Sequence, residues 1–153
     1  LIKMNRKYRL EDFYSMTEKI KKNITNVALS TDVISGFPGE TDEDFKNTYE
    51  FIKKVGFMRI HAFPYSEREG TVASRIKEGI VRMDIRRQRT NKLIDLGVIL
   101  EKNFRADMKG KNLEVLFEGK DKDGLYQGYT ENYLEVHSKS EENLTNQFKK
   151  IKF

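Results

Sequence analysis

The stretch T-D-V-I-S-G-F-P-G-E-T, Thr31 to Thr41, decides how this chain is built. A β-branched run ends in a glycine–proline–glycine turn, and Thr41 then stands in front of Asp42, Glu43 and Asp44. A threonine hydroxyl can accept the first free N–H groups of a helix, and acidic side chains suit its positive first turn. Upstream, Val27 to Ser35 reads as a buried parallel strand, with Val27, Leu29, Val33 and Ile34 apolar. Downstream, Phe45, Tyr49 and Ile52 form the inner stripe of a helix that Gly56 stops in the C′ position. Phe57 to Phe63 is the next strand. Strand, helix and strand joined by short connections make a βαβ unit, so the two strands should lie parallel.

Working outward, Leu10 to Asn23 reads as a first helix with Phe13, Met16 or Thr17, and Ile20 inward. Asn23 and Asn26 mark its end, where a left-handed residue is expected. Residues 64 to 83 form a loop long enough to be functional or mobile. A long helix follows over Asp84 to Met108, with Leu93, Leu96, Leu100 and Phe104 turned to a core. Arg86, Arg87, Arg89 and Lys92 crowd its first half. After Gly110 the period changes. Asn112–Phe117, Leu125–Tyr129, Asn132–Val136 and Gln147–Phe153 read as short strands, with Lys120–Gly124 as a hairpin turn. Glu141 to Asn143 reads as a solvated turn. The chain thus divides into an α/β part, 1–108, and a β module, 109–153.

Composition narrows the chemistry. The 153 residues include no cysteine, which excludes disulfides, thiolate zinc sites and iron–sulfur ligation from within the chain. His61 and His137 are the only histidines, too few for a histidine-based metal centre. Hydrophobic residues make up 37% and charged residues 35%, enough for a core but a thin one. A net charge of +5 and a pI near 9.3 favour an acidic partner such as nucleic acid, although basic composition alone is common in soluble proteins. No apolar run approaches the roughly 18 residues of a membrane span, and no signal peptide opens the chain, so it reads as soluble and cytoplasmic. The first residue is Leu rather than Met, which fits a piece of a longer protein.

Gly36 and Gly39 let backbone approach a ligand closely, and the helix after Thr41 presents free N–H groups beside them. The same residues would also serve a tight βα turn that binds nothing. Glu40 alone carries little information. A second segment, H-A-F-P-Y-S-E-R-E-G-T from His61 to Thr71, repeats the strand-then-loop pattern.

Together these segments resemble the radical-SAM tRNA methylthiotransferases. D-V-I-S-G-F-P-G-E-T is similar to the fifth-strand segment of that family, and Tyr65 to Ala73 is similar to its Y-S-P-R-x-G-T-P-A string. Glu67 and Val72 replace both prolines of that string, which leaves the loop less constrained. Met4-Asn5-Arg6-Lys7-Tyr8 resembles a string just after the fourth strand, so the chain is expected to begin there. Gly128-Tyr129-Thr130-Glu131-Asn132-Tyr133 resembles part of a TRAM domain, a small RNA-binding barrel. The wording His61–Pro64 and Arg68–Thr71 is closest to the branch that modifies threonylcarbamoyladenosine beside the anticodon.

The resemblance implies an α/β fold, a partial (β/α) barrel fragment with parallel strands, followed by a small antiparallel OB-like β-barrel. It implies S-adenosyl-L-methionine bound by Ile34, Gly36, Phe37, Gly39, Glu40, Phe63 and Tyr65. It implies tRNA held by Arg6, Arg68, Lys109, Lys111, Lys120, Tyr129, Asn132 and Tyr133. In the family, a 4Fe–4S cluster cleaves the cofactor, the resulting radical takes hydrogen from C2 of the modified adenine, and a second cluster supports sulfur insertion. With no cysteine, this chain would hold neither cluster, carry no catalytic or metal residue, and be inactive alone. Its open sheet edges favour self-association. At least one of Tyr126, Tyr129 and Tyr133 should sit in the small barrel's core. A non-catalytic RNA-binding protein on an α/β scaffold is the alternative.

Overall fold

The computed structural model describes Leu1–Phe153, which form two compact units, Leu1–Lys102 and Asn103–Phe153. The first contains α1 (Leu10–Asn23), β1 (Ser30–Ser35), α2 (Asp42–Val55) and β2 (Arg59–Pro64). The long helix α3 (Met83–Met108) starts in this unit and ends in the second. The second unit adds β3 (Asn112–Lys120), β4 (Tyr126–Thr130), β5 (Glu135–Ser138) and β6 (Gln147–Lys152).

In the first unit β1 and β2 are parallel, in register from Ser30 beside Arg59 to Ser35 beside Pro64. Alternation sorts their side chains. Thr31, Val33 and Ser35 point to one face with Ile60 and Ala62, whereas Asp32, Ile34, His61 and Phe63 lie exposed on the other. The inner face joins a core of Ile52 and Val55 from α2, Phe57, and Leu93 and Leu96 from α3, all under about 4% exposed. Burying each such side chain is worth roughly 1.5–3 kcal/mol. Helix α2 is capped at both ends. Thr41 Oγ1 accepts from the Asp44 N–H at 3.1 Å, the Thr41 N–H donates to Asp44 at 2.9 Å, and Gly56 closes the helix at φ +68°.

Both strands are shorter than their apolar runs. Val27 to Leu29 and Phe57 to Met58 are lead-ins that reach the core before regular pairing starts, although the Met58 N–H already donates to the Leu29 carbonyl at 2.8 Å. On α1 the inward residue is Thr17, 2% exposed, while Met16 is 48% exposed. The Thr17 hydroxyl donates to the Tyr14 carbonyl at 2.7 Å, so its burial leaves no donor unpaired. Asn26 takes the left-handed position after α1, at φ +56°.

The second unit is a four-stranded antiparallel sheet in the order β5-β4-β3-β6. It is not closed: β5 and β6 are both edges, and Val136 and Ser138 of β5, Ile151 of β6 and the terminal Phe153 line one cavity of about 330 Å³. Its buried face holds Leu113, Val115, Phe117, Tyr126 and Leu134. Gly128 is required where β3 and β4 cross most closely, since a Cβ there would stand 2.4 Å from the Leu116 carbonyl oxygen. The strand expected over Asn132–Val136 begins instead at Glu135, because Thr130 to Leu134 are folded into a turn.

Candidate functional site

A cleft of about 1050 Å³ opens in the first unit at the C-terminal ends of β1 and β2. Ile34 and Phe63 are register neighbours on the sheet face turned away from the core, 43% and 52% exposed. They form the apolar floor with Phe37, and Lys3, Met4, Arg68 and Ile76 complete the wall. Tyr65 continues the pairing past β2: its N–H donates to the Ser35 carbonyl at 2.8 Å. The ring meets Phe37 edge-on at 5.3 Å and is 8% exposed, and its hydroxyl is buried with no partner in the protein.

Two buried arginines of α3 hold this cleft in shape. Arg86 donates through Nε to the Val81 carbonyl at 2.7 Å and through Nη1 to the Tyr65 carbonyl at 2.8 Å. Its guanidinium also lies 5.2 Å from the Tyr65 ring centroid. Arg89 reaches Glu40 Oε1 at 2.6 Å and Asp42 Oδ1 at 2.7 Å. Burial alone would lower the Arg89 pKa, but the bonds to Asp42 and Glu40 outweigh it and hold the guanidinium above its ordinary value. Glu40 Oε2 in turn accepts from the Gly36 N–H at 2.9 Å. Beneath the turn, the Ser35 and Thr90 hydroxyls share a hydrogen bond at 2.7 Å, both buried.

Of the cofactor residues named from the sequence, Ile34, Phe37, Phe63 and Tyr65 meet on the cleft, and Arg68 joins them. Gly36, Gly39 and Glu40 do not line it. They frame the turn: Gly39 donates its N–H to the Gly79 carbonyl at 2.7 Å, and both Glu40 carboxylate oxygens are taken up inside the protein. Arg6 is exposed outside the cleft, while its neighbours Ile2 to Asn5 are within it. His61 is exposed, with Asp32 as its register neighbour on β1. Nowhere among the described residues do three or more His, Cys, Asp or Glu gather closely enough to hold a metal ion.

In the second unit the proposed RNA residues divide. Lys109, Lys111 and Tyr133 are exposed at the end of the sheet where β3 begins, near Lys152, the register partner of Asn112. Asn132 turns inward at 5% exposure. Its amide meets Met108 Sδ at 3.5 Å and its oxygen accepts from the Thr130 hydroxyl at 2.6 Å, so it braces the turn rather than facing solvent. Tyr129 lies on the outer face beside Leu116, whose other neighbour is the exposed Phe148. Lys120 is at the opposite end of β3, over the Tyr126 ring at 4.8 Å, and Tyr126 itself is core. The unit carries nine Lys and Arg against nine Asp and Glu, so the chain's surplus of +5 lies entirely in Leu1–Lys102.

No protein-family model matches the chain. It is 36% identical, over 156 residues, to the threonylcarbamoyladenosine tRNA methylthiotransferase MtaB of Bacillus subtilis (strain 168), covering 99% of this chain and 34% of that protein. It is 40% identical, over 154 residues, to the tRNA-2-methylthio-N(6)-dimethylallyladenosine synthase of Petrotoga mobilis, covering 97% and 34%. A protein of the same description from Acetivibrio thermocellus is 40% identical over 129 residues, 83% of this chain and 27% of its own length. The chain therefore spans about a third of the length of the curated relatives it matches.

Proposed function

The chain belongs to the radical-SAM tRNA methylthiotransferase family, and from that premise we propose that its first unit is one wall of an S-adenosyl-L-methionine cleft and its second an RNA grip. On this reading residues 1–108 are part of a (β/α) barrel and 109–153 a TRAM-like, OB-like module. The observation that carries the reading is the Ile34–Phe63 floor at the ends of two parallel strands, with the unpartnered Tyr65 hydroxyl beside it. Ligands of α/β folds gather at such strand ends.

The residues present suit an adenosyl group. A flat ring with a polar edge needs an apolar bed and a few hydrogen-bond partners, which Ile34, Phe63 and the Tyr65 hydroxyl supply. Lys3 and Arg68 on the same wall would meet the carboxylate of the methionyl end. In an enzyme that also held the family's clusters, the cofactor bound here would supply the chemistry that activates the adenine C2–H bond and the methyl group of the product. These residues bind and orient it and keep water from its ring. The chain has no cysteine, so the family's iron–sulfur clusters take no ligand from it.

The substrate on this reading is tRNA in the cytoplasm, modified at threonylcarbamoyladenosine. Relatives acting on either nucleoside match at similar identity, so the choice rests on the wording of His61–Pro64 and Arg68–Thr71.

Titration of the purified chain with S-adenosyl-L-methionine by calorimetry tests the cleft. Binding that is lost in Ile34→Asp supports it, and no binding by the unaltered chain sinks it. The chain alone, given cofactor, reductant and tRNA, should yield no methylthiolated nucleoside by mass spectrometry; product would overturn the exclusion of cluster ligands. The exposed face of Asp32, Ile34, His61 and Phe63 is also open to a second copy. Self-association should appear in sedimentation and weaken in Phe63→Glu, whereas a strictly monomeric profile at high concentration would refute it.

A further inference from the structure

Backbone at positive φ in this chain is occupied by seven glycines, by Asn5, Asn26 and Asn146, and by Tyr133. Glycine and asparagine are the residues that tolerate this conformation, and a bulky aromatic there is an outlier. Tyr133 stands at φ +61° and is 70% exposed, the most exposed aromatic residue of the second unit.

The turn that holds it is fixed on all sides. The Thr130 N–H donates to the Leu134 carbonyl at 3.0 Å, the Tyr133 N–H to the Thr130 carbonyl at 2.9 Å, and the Leu134 N–H to the Thr130 hydroxyl at 2.8 Å. Asn132 and Leu134 on either side are buried, at 5% and 1% exposure. The Glu131 N–H donates to the Glu114 carbonyl at 3.2 Å, and its carboxylate accepts from the Glu114 N–H at 2.7 Å. The strained backbone therefore throws the ring outward, and no ring contact anchors it. Glycine or asparagine would build the same turn with less strain. Strain of this kind persists where a side chain has work outside the fold.

Lys109, Lys111 and Lys152 are exposed at the same end of the sheet. We propose that Tyr133 is a stacking platform for an unpaired base of the RNA, with these three lysines meeting the phosphates around it. This rests on the RNA-grip reading of the second unit and adds to it what is gripped: a looped-out or single-stranded base rather than a duplex. A local cluster is also what a unit with balanced charge requires, since it has no overall attraction for phosphate. Stacking is tolerant of base identity, so the contact would hold the loop without reading its sequence.

The test uses the 153-residue chain with a labelled RNA hairpin carrying an unpaired loop and a fully paired duplex of the same stem, both by anisotropy. Tyr133→Asn should raise Tm and lower hairpin affinity about tenfold while leaving duplex affinity in place. Tyr133→Phe, which keeps the ring, should restore hairpin binding. Unchanged hairpin affinity in Tyr133→Asn, or equal losses on hairpin and duplex, overturns this inference and leaves the RNA grip standing. Failure of the unaltered chain to bind either RNA overturns the grip and this inference together.

Discussion

Arg86 lies across Gly36 so closely that a Cβ on the glycine would stand 2.4 Å from Arg86 Cγ. Gly36 also has φ +75°, so two independent constraints exclude a side chain there. The absent methyl makes room for α3 rather than directly for a ligand. Gly36→Ala should cost about 2–4 kcal/mol by combining left-handed strain with overpacking. Urea unfolding would show this as a lower midpoint at unchanged slope; an unchanged midpoint would mean that Arg86 simply swings away.

The Glu40–Arg89 pair makes an ordered comparison possible. Their side chains are 14% and 7% exposed, so neither charge has much water to fall back on. Arg89→Met strips Glu40 of its cation and should cost about 3 kcal/mol. Glu40→Gln keeps a carbonyl oxygen for Gly36 or Arg89 and should cost about 1 kcal/mol. Equal losses in the two variants would show that the pair's charge is not what fixes the turn.

Much of the frame around this pair was legible in the sequence. Thr41 as cap, Gly56 as stop and the period change after Gly110 depend on local backbone chemistry, which a sequence displays directly. The arginines were harder. Arg86 and Arg89 continue, at helical spacing, the stripe of Leu93, Leu96 and Leu100, and that periodicity could have marked them as inward. Their charge argued for solvent, and only the carbonyl of nearby Val81, the carbonyl of Tyr65 and the carboxylates of Glu40 and Asp42, the last three remote in sequence, make burial possible. The strands start later than their apolar runs for a related reason. Val27–Leu29 and Phe57–Met58 are apolar because they reach the core, which does not require that they be paired. The charge of +5 could not show that the second unit is balanced, since net charge is a sum and carries no address.

His137 ties the β3–β4 turn to β5, with Nδ1 2.7 Å from Asp121 Oδ2 and Nε2 3.3 Å from Glu135 Oε1. The hydrogen bond to Asp121, opposed by partial desolvation and helped by the Glu135 charge, raises the imidazole pKa above its ordinary 6.5. Covering its carboxyl would raise Asp121, but bonds from His137, Leu125 and Asp123 outweigh that and hold it below its ordinary 3.8. A raised histidine stabilises fully below its unfolded pKa and loses the effect as pH climbs through the folded value; a depressed aspartate does the reverse at the acid end. The clip is therefore strongest between about pH 3.8 and 6.5. Thermal unfolding should show Tm falling above pH 6.5, and His137→Gln should flatten that part of the curve. A variant whose alkaline slope matches the unaltered chain would rule the clip out.

Tyr65 offers a way to separate stability from ligand binding in one substitution. A buried hydroxyl without a partner carries its desolvation cost unrelieved. Removing it in Tyr65→Phe keeps the edge contact with Phe37 and the carbonyl that Arg86 uses, because neither involves the oxygen. The unliganded variant should therefore be more stable by about 1 kcal/mol. If the hydroxyl is held for the polar edge of an adenosyl group, the same change should weaken S-adenosyl-L-methionine by about tenfold, since the ligand loses a bond that the cleft alone could offer. Calorimetry and thermal unfolding on the same samples read both quantities. A variant that gains stability and binds as before would show the hydroxyl to be a packing defect, and a variant that loses both would show that it has a partner in the folded chain.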